Sequence, residues 1–253
     1  MLAGESRLDV RACRASGPPV DQALRRILED AVADRGVAGA SLVGGPNETA
    51  ESCWVPSAEV EPAFLAFSIT KTFTATCVLQ LCEHGQLALD DCLSRWFPVE
   101  DLQTLAPALS TSLAEHRCLR DTRLHYHPGW VSHGVVASTP SEIARFFAAL
   151  FSGRILSSTS LAAMTELVTV PPHLAPGSSG QPGYGLGIMG DPATVLGPSW
   201  GHTGGGPGYQ ASAQHLAGIG ATVCVMAGIE QGFSAQDVAW RMLETFAAQT
   251  GSL

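Results

Sequence analysis

Apolar positions recur along this chain with two periods, and the switches between them mark out the elements. Residues 1–19 read as a loose leader ending in Gly17-Pro18-Pro19. Asp21 then opens a helix with Leu24, Ile27, Leu28 and Val32 on one stripe, closed by Gly36. Residues 37–43 and 52–55 read as strands, with Gly44-Gly45-Pro46-Asn47 as the turn between them. Three-to-four spacing returns at Ile69, Phe73, Cys77 and Leu81, which predicts a helix over 68–84 with Gly85 as its stop. Leu89-Asp90-Asp91 starts a short element ending at Trp96-Phe97-Pro98. Its aspartates read as a helix N-terminal pair and not as an acid/base dyad.

Residues 99–130 carry little periodicity and many turn-formers. Thr139-Pro140-Ser141-Glu142 is a capping box with proline at the first helical position, so a helix is expected through Phe146, Phe147 and Leu150 to Gly153. A second short helix follows over 159–167, then a Pro/Gly/Ser loop over 171–182. The last third alternates as strands over 184–189, 199–203, 209–215 and 221–227. Ser234 begins a terminal helix with Val238, Met242, Leu243 and Phe246 on its inner face. No internal repeat is present. The order predicts an α+β fold in which both chain ends share one antiparallel sheet, with a helical middle packed on its face. Residues 20–253 are expected to form a single domain, with 99–130 as a reduced helical lobe.

Composition narrows the function classes. At 253 residues the chain can bury roughly three quarters of its unfolded surface, enough for a full core. Charged residues are 15% and hydrophobic ones 45%, which excludes a disordered chain. A net charge of −9 argues against nucleic acid, since no basic face is available to neutralise phosphates. No apolar run reaches the ~18 residues that a membrane span needs. The N-terminus has arginines without an apolar h-region, so a cytoplasmic location is expected. Seven scattered cysteines without a CxxC pair read as reduced packing residues.

Candidate chemistry starts from a lysine. The chain has 14 Lys+Arg, and Lys71 is its single lysine. Arginine stays protonated in a protein, whereas a desolvated lysine can become a neutral base. Ser68 stands three residues earlier, so on a helix both side chains share a face, about 5–6 Å apart at Cβ. A nucleophile with its proton acceptor is one reading of that pair. Chance is the other, in a chain with 22 serines and a composition that avoids lysine. Ser68 also falls at the predicted helix N-terminus, where free backbone N–H groups favour an oxyanion.

Several stretches taken together resemble the serine β-lactamase and penicillin-binding family, above all class C β-lactamases and their esterase relatives. FSITKTFTATCVLQLCEHGQLALDD resembles that family's nucleophile segment. GVVASTPSEIARFFAALFSGRILS resembles its glycine-rich turn and following helix, and PGYGLGIMG with WGHTGGGPGY its late strands and third motif. The resemblance covers roughly 20–98 and 118–248 in the same order, and three collinear motifs are far more specific than one. It implies a β-lactamase/transpeptidase-like α+β fold. Ser68 would be the acylated nucleophile and Lys71 the amine that receives its proton. His202, Thr203 and Gly204 would line the cleft from a strand, and the backbone N–H groups of Ser68 and Gly205 would form the oxyanion hole. One such donor is typically worth about 2.7–4 kcal/mol of barrier. Lys71 would need a pKa lowered from ~10.4 toward ~7–8, and hence a dry pocket.

The family's second motif, Tyr-x-Asn, has no clear counterpart. Tyr184 and Tyr209 fall where the family places structural residues, which leaves Tyr126, in His125-Tyr126-His127-Pro128, as the remaining tyrosine. Tyr126 is then either catalytic or a core or surface tyrosine. CLRDTRLHYHPGW is also similar to the family's segment downstream of that motif, which would mean the tyrosine is deleted with most of the helical lobe. His202 is open to two roles, a general base or a hydrogen-bond partner of substrate at the cleft edge. His125, His127 and His133 could suggest a metal site, but the Pro128-Gly129 that follows His127 marks a turn, so no metal and no other cofactor is expected. Gly204–Gly208 is no phosphate loop, because no Lys-Ser or helix follows. These readings converge on a serine hydrolase acting on a small ester, amide or lactam. An acyltransferase of the same family, or a binding module with an impaired site, is the alternative, and a homo-oligomer is compatible with either.

Overall fold

The computed structural model of the protein describes residues 22–44, 49–97, 136–170, 180–229 and 231–251. Expectations for the leader, the turn after Gly44, residues 99–130 and most of the 171–182 loop lie outside these residues. The N-terminal helix α1 (Gln22–Val32) is followed by strands β1 (Val37–Gly44) and β2 (Thr49–Val55), as the periodicity predicts. At the other end of the chain come β8 (Gly197–Gly206), β9 (Tyr209–Leu216), β10 (Ala221–Gly228) and the helix α5 (Ala235–Thr250). β1 pairs antiparallel with β10 from Val37↔Gly228 to Val43↔Thr222, so the two ends of the chain do close one sheet.

Among the described residues that sheet has eight strands, in the order β2-β1-β10-β9-β8-β7-β6-β5. Its far edge consists of β5 (Val168–Thr169), β6 (Gly183–Tyr184) and β7 (Met189–Thr194). Alternation along β1 and β10 sends Ala38, Ala40, Leu42, Val223 and Val225 to one face, against Leu24 and Leu28 of α1 and Val238, Met242 and Leu243 of α5. Cys224 and Met226 face the other way. There they meet α2 (Thr70–Glu83) and α3 (Pro140–Phe151) through Ile69, Leu79, Ile143, Phe147 and Leu150. Central strands covered on both sides explain their near-continuous apolar runs. Leu28 and Leu243 are 0% exposed, and trimming either to alanine is expected to destabilise the fold by about 2–5 kcal/mol.

α3 starts as read from the sequence. Thr139 accepts from the Glu142 amide while the Glu142 carboxylate reaches back to the Thr139 N–H. The next helix, α4 (Ser158–Thr165), is capped by Ser157. A two-stranded pair, β3 (Phe64–Leu65) with β4 (Ala137–Ser138), ties the segment before Ser68 to the start of α3. Its strands are too short to show a period.

Two expectations need correction. The strand predicted over 184–189 is a hairpin: Tyr184 pairs with Met189 and Gly183 with Gly190, so 185–188 is the turn. Gly187 supplies the left-handed residue that turn requires (φ +69°). The helix predicted over 68–84 begins as a 3₁₀ turn, Phe67–Ile69. Ile69 is buried and Phe73 packs against the core as expected, but α2 otherwise buries Thr70, Thr72, Thr76 and Leu79, while Cys77 and Leu81 are exposed. The hydroxyls of Thr72 and Thr76 can face inward because each has a partner, whereas the buried Thr70 hydroxyl has none among the described residues. Thr72 Oγ1 donates to the Gly187 carbonyl (2.7 Å) and Thr76 Oγ1 to the Thr72 carbonyl (2.8 Å). The first of these bonds clamps the 185–188 turn onto the helix one residue beyond Lys71.

Candidate active site

Ser68 occupies the 3₁₀ turn that leads into α2, where the chain is held on both sides. The Ala66 amide donates to the Val136 carbonyl and the Ile69 amide to the Ala66 carbonyl. Phe67 is forced to φ +45°, a left-handed conformation that a residue with a Cβ keeps only when its surroundings enforce it. The enforcement is visible: the Phe67 ring is buried against Tyr209, with ring centroids 6.3 Å apart. Where the Cβ of a residue replacing Gly206 would go, the Phe67 ring already stands.

One helical turn after Ser68, Lys71 Nζ lies 2.6 Å from Ser68 Oγ. The spacing noted in the sequence therefore becomes a direct hydrogen bond. Burial lowers the lysine pKa from its ordinary value, because removing water disfavours the ammonium. In this contact the Lys71 amine donates to Ser68 Oγ.

β8 crosses directly over this turn. A Cβ at Gly204 would stand 2.5 Å from the Ala66 carbonyl oxygen and 3.2 Å from the Ser68 amide nitrogen, so only glycine permits this approach. Gly205 differs, since a Cβ there would meet open space. β7 pairs with β8 only as far as Gly201, opposite Met189. Beyond that point the strand edge is free of β7. Counting from the two-residue turn between Gly206 and Tyr209, the register alternates hydrogen-bonded and non-hydrogen-bonded pairs, which turns the N–H of Gly205 away from β9 toward that edge. The amides of Ser68 and Gly205 thus border one cleft, with Ser68 Oγ and Lys71 Nζ.

His202 is 1% exposed. Its Nδ1 lies 2.6 Å from the Thr203 carbonyl and its Nε2 lies 2.9 Å from the Tyr184 hydroxyl. Burial, with a smaller contribution from the Lys71 charge, lowers its pKa to about 4 and keeps the ring neutral. Each nitrogen has a partner within the protein. Thr203 faces the other way and donates its hydroxyl to Met189 Sδ (3.6 Å). The partner that sequence reasoning missed is Tyr184, expected to be structural. Its only sequence signal is the hairpin it begins, PGYGLGIMG. Tyr126, His125, His127 and His133 lie outside the described residues, and among those that are described no cluster of three potential metal ligands occurs.

A cavity of about 520 Å³ lined by Phe151, Trp200 and His215 opens at the other end of the same sheet face. It includes neither Ser68 nor Lys71. No helix among the described residues is long and apolar enough to cross a membrane.

A hydrogen-bonded serine–lysine pair at the turn into a helix, beside an antiparallel strand, agrees with a match across the chain. The family model described as Beta-lactamase matches residues 24–111 and 104–246, and the chain belongs to that family. Among solved structures it is similar to the D-amino acid amidase from Ochrobactrum anthropi SV3 complexed with L-phenylalanine amide. The identity is 17% over 92% of this chain and 100% of that one, with a TM-score of 0.70. A D-stereospecific amidohydrolase from Streptomyces sp. is 20% identical over 87% and 97% of the two chains, with a TM-score of 0.64. The octameric penicillin-binding protein homologue from Pyrococcus abyssi is 15% identical over 90% and 77%, with a TM-score of 0.68. These likenesses establish the fold. No curated protein sequence matches the chain at a significant level.

Proposed function

We propose that this protein is a serine hydrolase that cleaves a small amide or ester through an acyl-enzyme on Ser68. The observation that carries the reading is the 2.6 Å contact between Ser68 Oγ and the desolvated Lys71 amine. Neutral Lys71 takes the Ser68 proton as Oγ attacks the carbonyl carbon, and the tetrahedral oxyanion is received by the Ser68 and Gly205 amides. Collapse expels the amine or alcohol, which takes the proton back from the Lys71 ammonium. Water then attacks the acyl-enzyme by the same route, releasing the acid and freeing Ser68. An amide substrate is favoured over a lactam because two of the similar structures are an amino acid amidase and an amidohydrolase. Thr203, Gly204 and the strand edge would position the acyl group.

The test is labelling by a fluorophosphonate probe, with turnover of p-nitroanilides, p-nitrophenyl esters and nitrocefin. It is run on the parent, Ser68→Ala and Lys71→Ala. Labelling confined to the parent and lost with Ser68→Ala is expected. Labelling that survives Ser68→Ala, or a parent that neither labels nor turns over any substrate, would overturn the reading and leave a binding module.

A further inference from the structure

His202 is buried, and both of its ring nitrogens are hydrogen-bonded within the protein. The direction of each hydrogen bond follows by elimination. A carbonyl oxygen only accepts, so the His202 Nδ1 that lies 2.6 Å from the Thr203 carbonyl carries the proton. In the neutral ring Nε2 is then the acceptor, and the Tyr184 hydroxyl, 2.9 Å away, must donate to it. Burial raises the phenol's pKa as well, which keeps its proton in place. The result is one fixed relay, Tyr184 Oη–H to His202 Nε2 and His202 Nδ1–H to Thr203 O.

Both ends of this relay belong to segments that pack near the Ser68–Lys71 turn. Tyr184 ends β6, and the turn that follows it is clamped to α2 by Thr72 through Gly187, whose Cβ position lies 2.8 Å from the Lys71 carbonyl. The Thr203 carbonyl lies on the same free stretch of β8 as the Gly205 amide, two residues on. An uncovered carbonyl there would set a negative dipole beside a developing oxyanion, and the His202 N–H covers it. A ring free to titrate would instead add a cation next to Lys71. The titratable groups facing His202 are Lys71 from α2 and Tyr184 from β6.

We propose that Tyr184 is a positioning residue of the hydrolase site, holding His202 as the neutral Nδ1–H tautomer so that the ring caps the Thr203 carbonyl beside the Gly205 amide. This rests on the hydrolase reading above. The test compares parent and Tyr184→Phe by long-range ¹H–¹⁵N correlation of the imidazole rings, assigned with His202→Gln, and by kcat and KM on a p-nitrophenyl ester from pH 4 to 9. The parent should show His202 as Nδ1–H throughout pH 5–8. Tyr184→Phe should mix the tautomers, lower kcat about tenfold with KM within about threefold, and move the acid limb of the pH profile upward. An Nε2–H tautomer in the parent would overturn the proposal even if the variant failed to fold. So would an unchanged kcat, or unchanged His202 signals, in folded Tyr184→Phe. A parent that is never labelled at Ser68 defeats the hydrolase reading separately, while the tautomer spectrum still decides the relay.

Discussion

His202 and His215 point to the same face of the sheet from adjacent strands, each almost fully buried, each with a pKa lowered to about 4 chiefly by burial. By desolvation alone they are twins. Their partners differ. His215 stacks flat on Phe151, with centroids 4.3 Å apart, and its Nδ1 pairs with Thr222 Oγ1 at 2.8 Å, beside the cavity at the other end of the sheet face. His202 spans Tyr184 and the Thr203 carbonyl at the end where β8 loses its neighbour. A perturbed pKa therefore marks burial, and the free strand edge beside it marks the candidate site.

The comparison breaks most sharply at the nucleophile. Lys71→Arg should lose about 10³-fold in kcat/KM on whichever ester or amide the parent hydrolyses, because a guanidinium cannot accept the Ser68 proton. His215→Gln should stay within about twofold in the same assay. Substantial turnover by Lys71→Arg would remove the amine from the mechanism.

Next comes what the two histidines share. In the unfolded chain each ring takes a proton near pH 6.5, whereas the folded protein resists it until about pH 4. Between those values the unfolded state binds more protons, so stability is full above pH 6.5 and falls as pH drops toward 4, by about 3 kcal/mol for each ring. Urea melts across that window should show the drop, and His215→Gln should remove about half of it. A flat profile would mean that neither ring is kept neutral by the fold.

Gly204 and Gly205 offer a smaller contrast. Gly204→Ala must push β8 away from the Ala66 carbonyl and is expected to lose thermal stability and about 10²-fold in kcat/KM, whereas Gly205→Ala projects into open space and should leave thermal stability unchanged. Equal losses would show that the strand does not rest on the Ser68 turn as described. The least effect belongs to Phe151→Leu. It removes the stacking partner of His215 and should cost about 1 kcal/mol in a thermal melt with turnover unchanged.

Much of this was legible without coordinates wherever one short segment carried its own instructions. Thr139-Pro140-Ser141-Glu142 built its capping box, the stripe of α1 buried as spaced, and Ser68 and Lys71, three residues apart, met as helix geometry dictates. The face of α2 was misjudged because Thr72 and Thr76 read as polar until their carbonyl partners are known. The role of Tyr184 was missed because nothing near it in sequence calls for a histidine 18 residues away. Which strand edge lies open over Ser68 depends on where β7 stops pairing, a boundary that no residue pattern announces. Helix spacing, caps and strand alternation are short-range geometry and were settled by residue order alone. Desolvation of Lys71, the closure of both His202 nitrogens and the glycine contact at Gly204 depend on which distant surfaces meet, so only the folded chain could decide them.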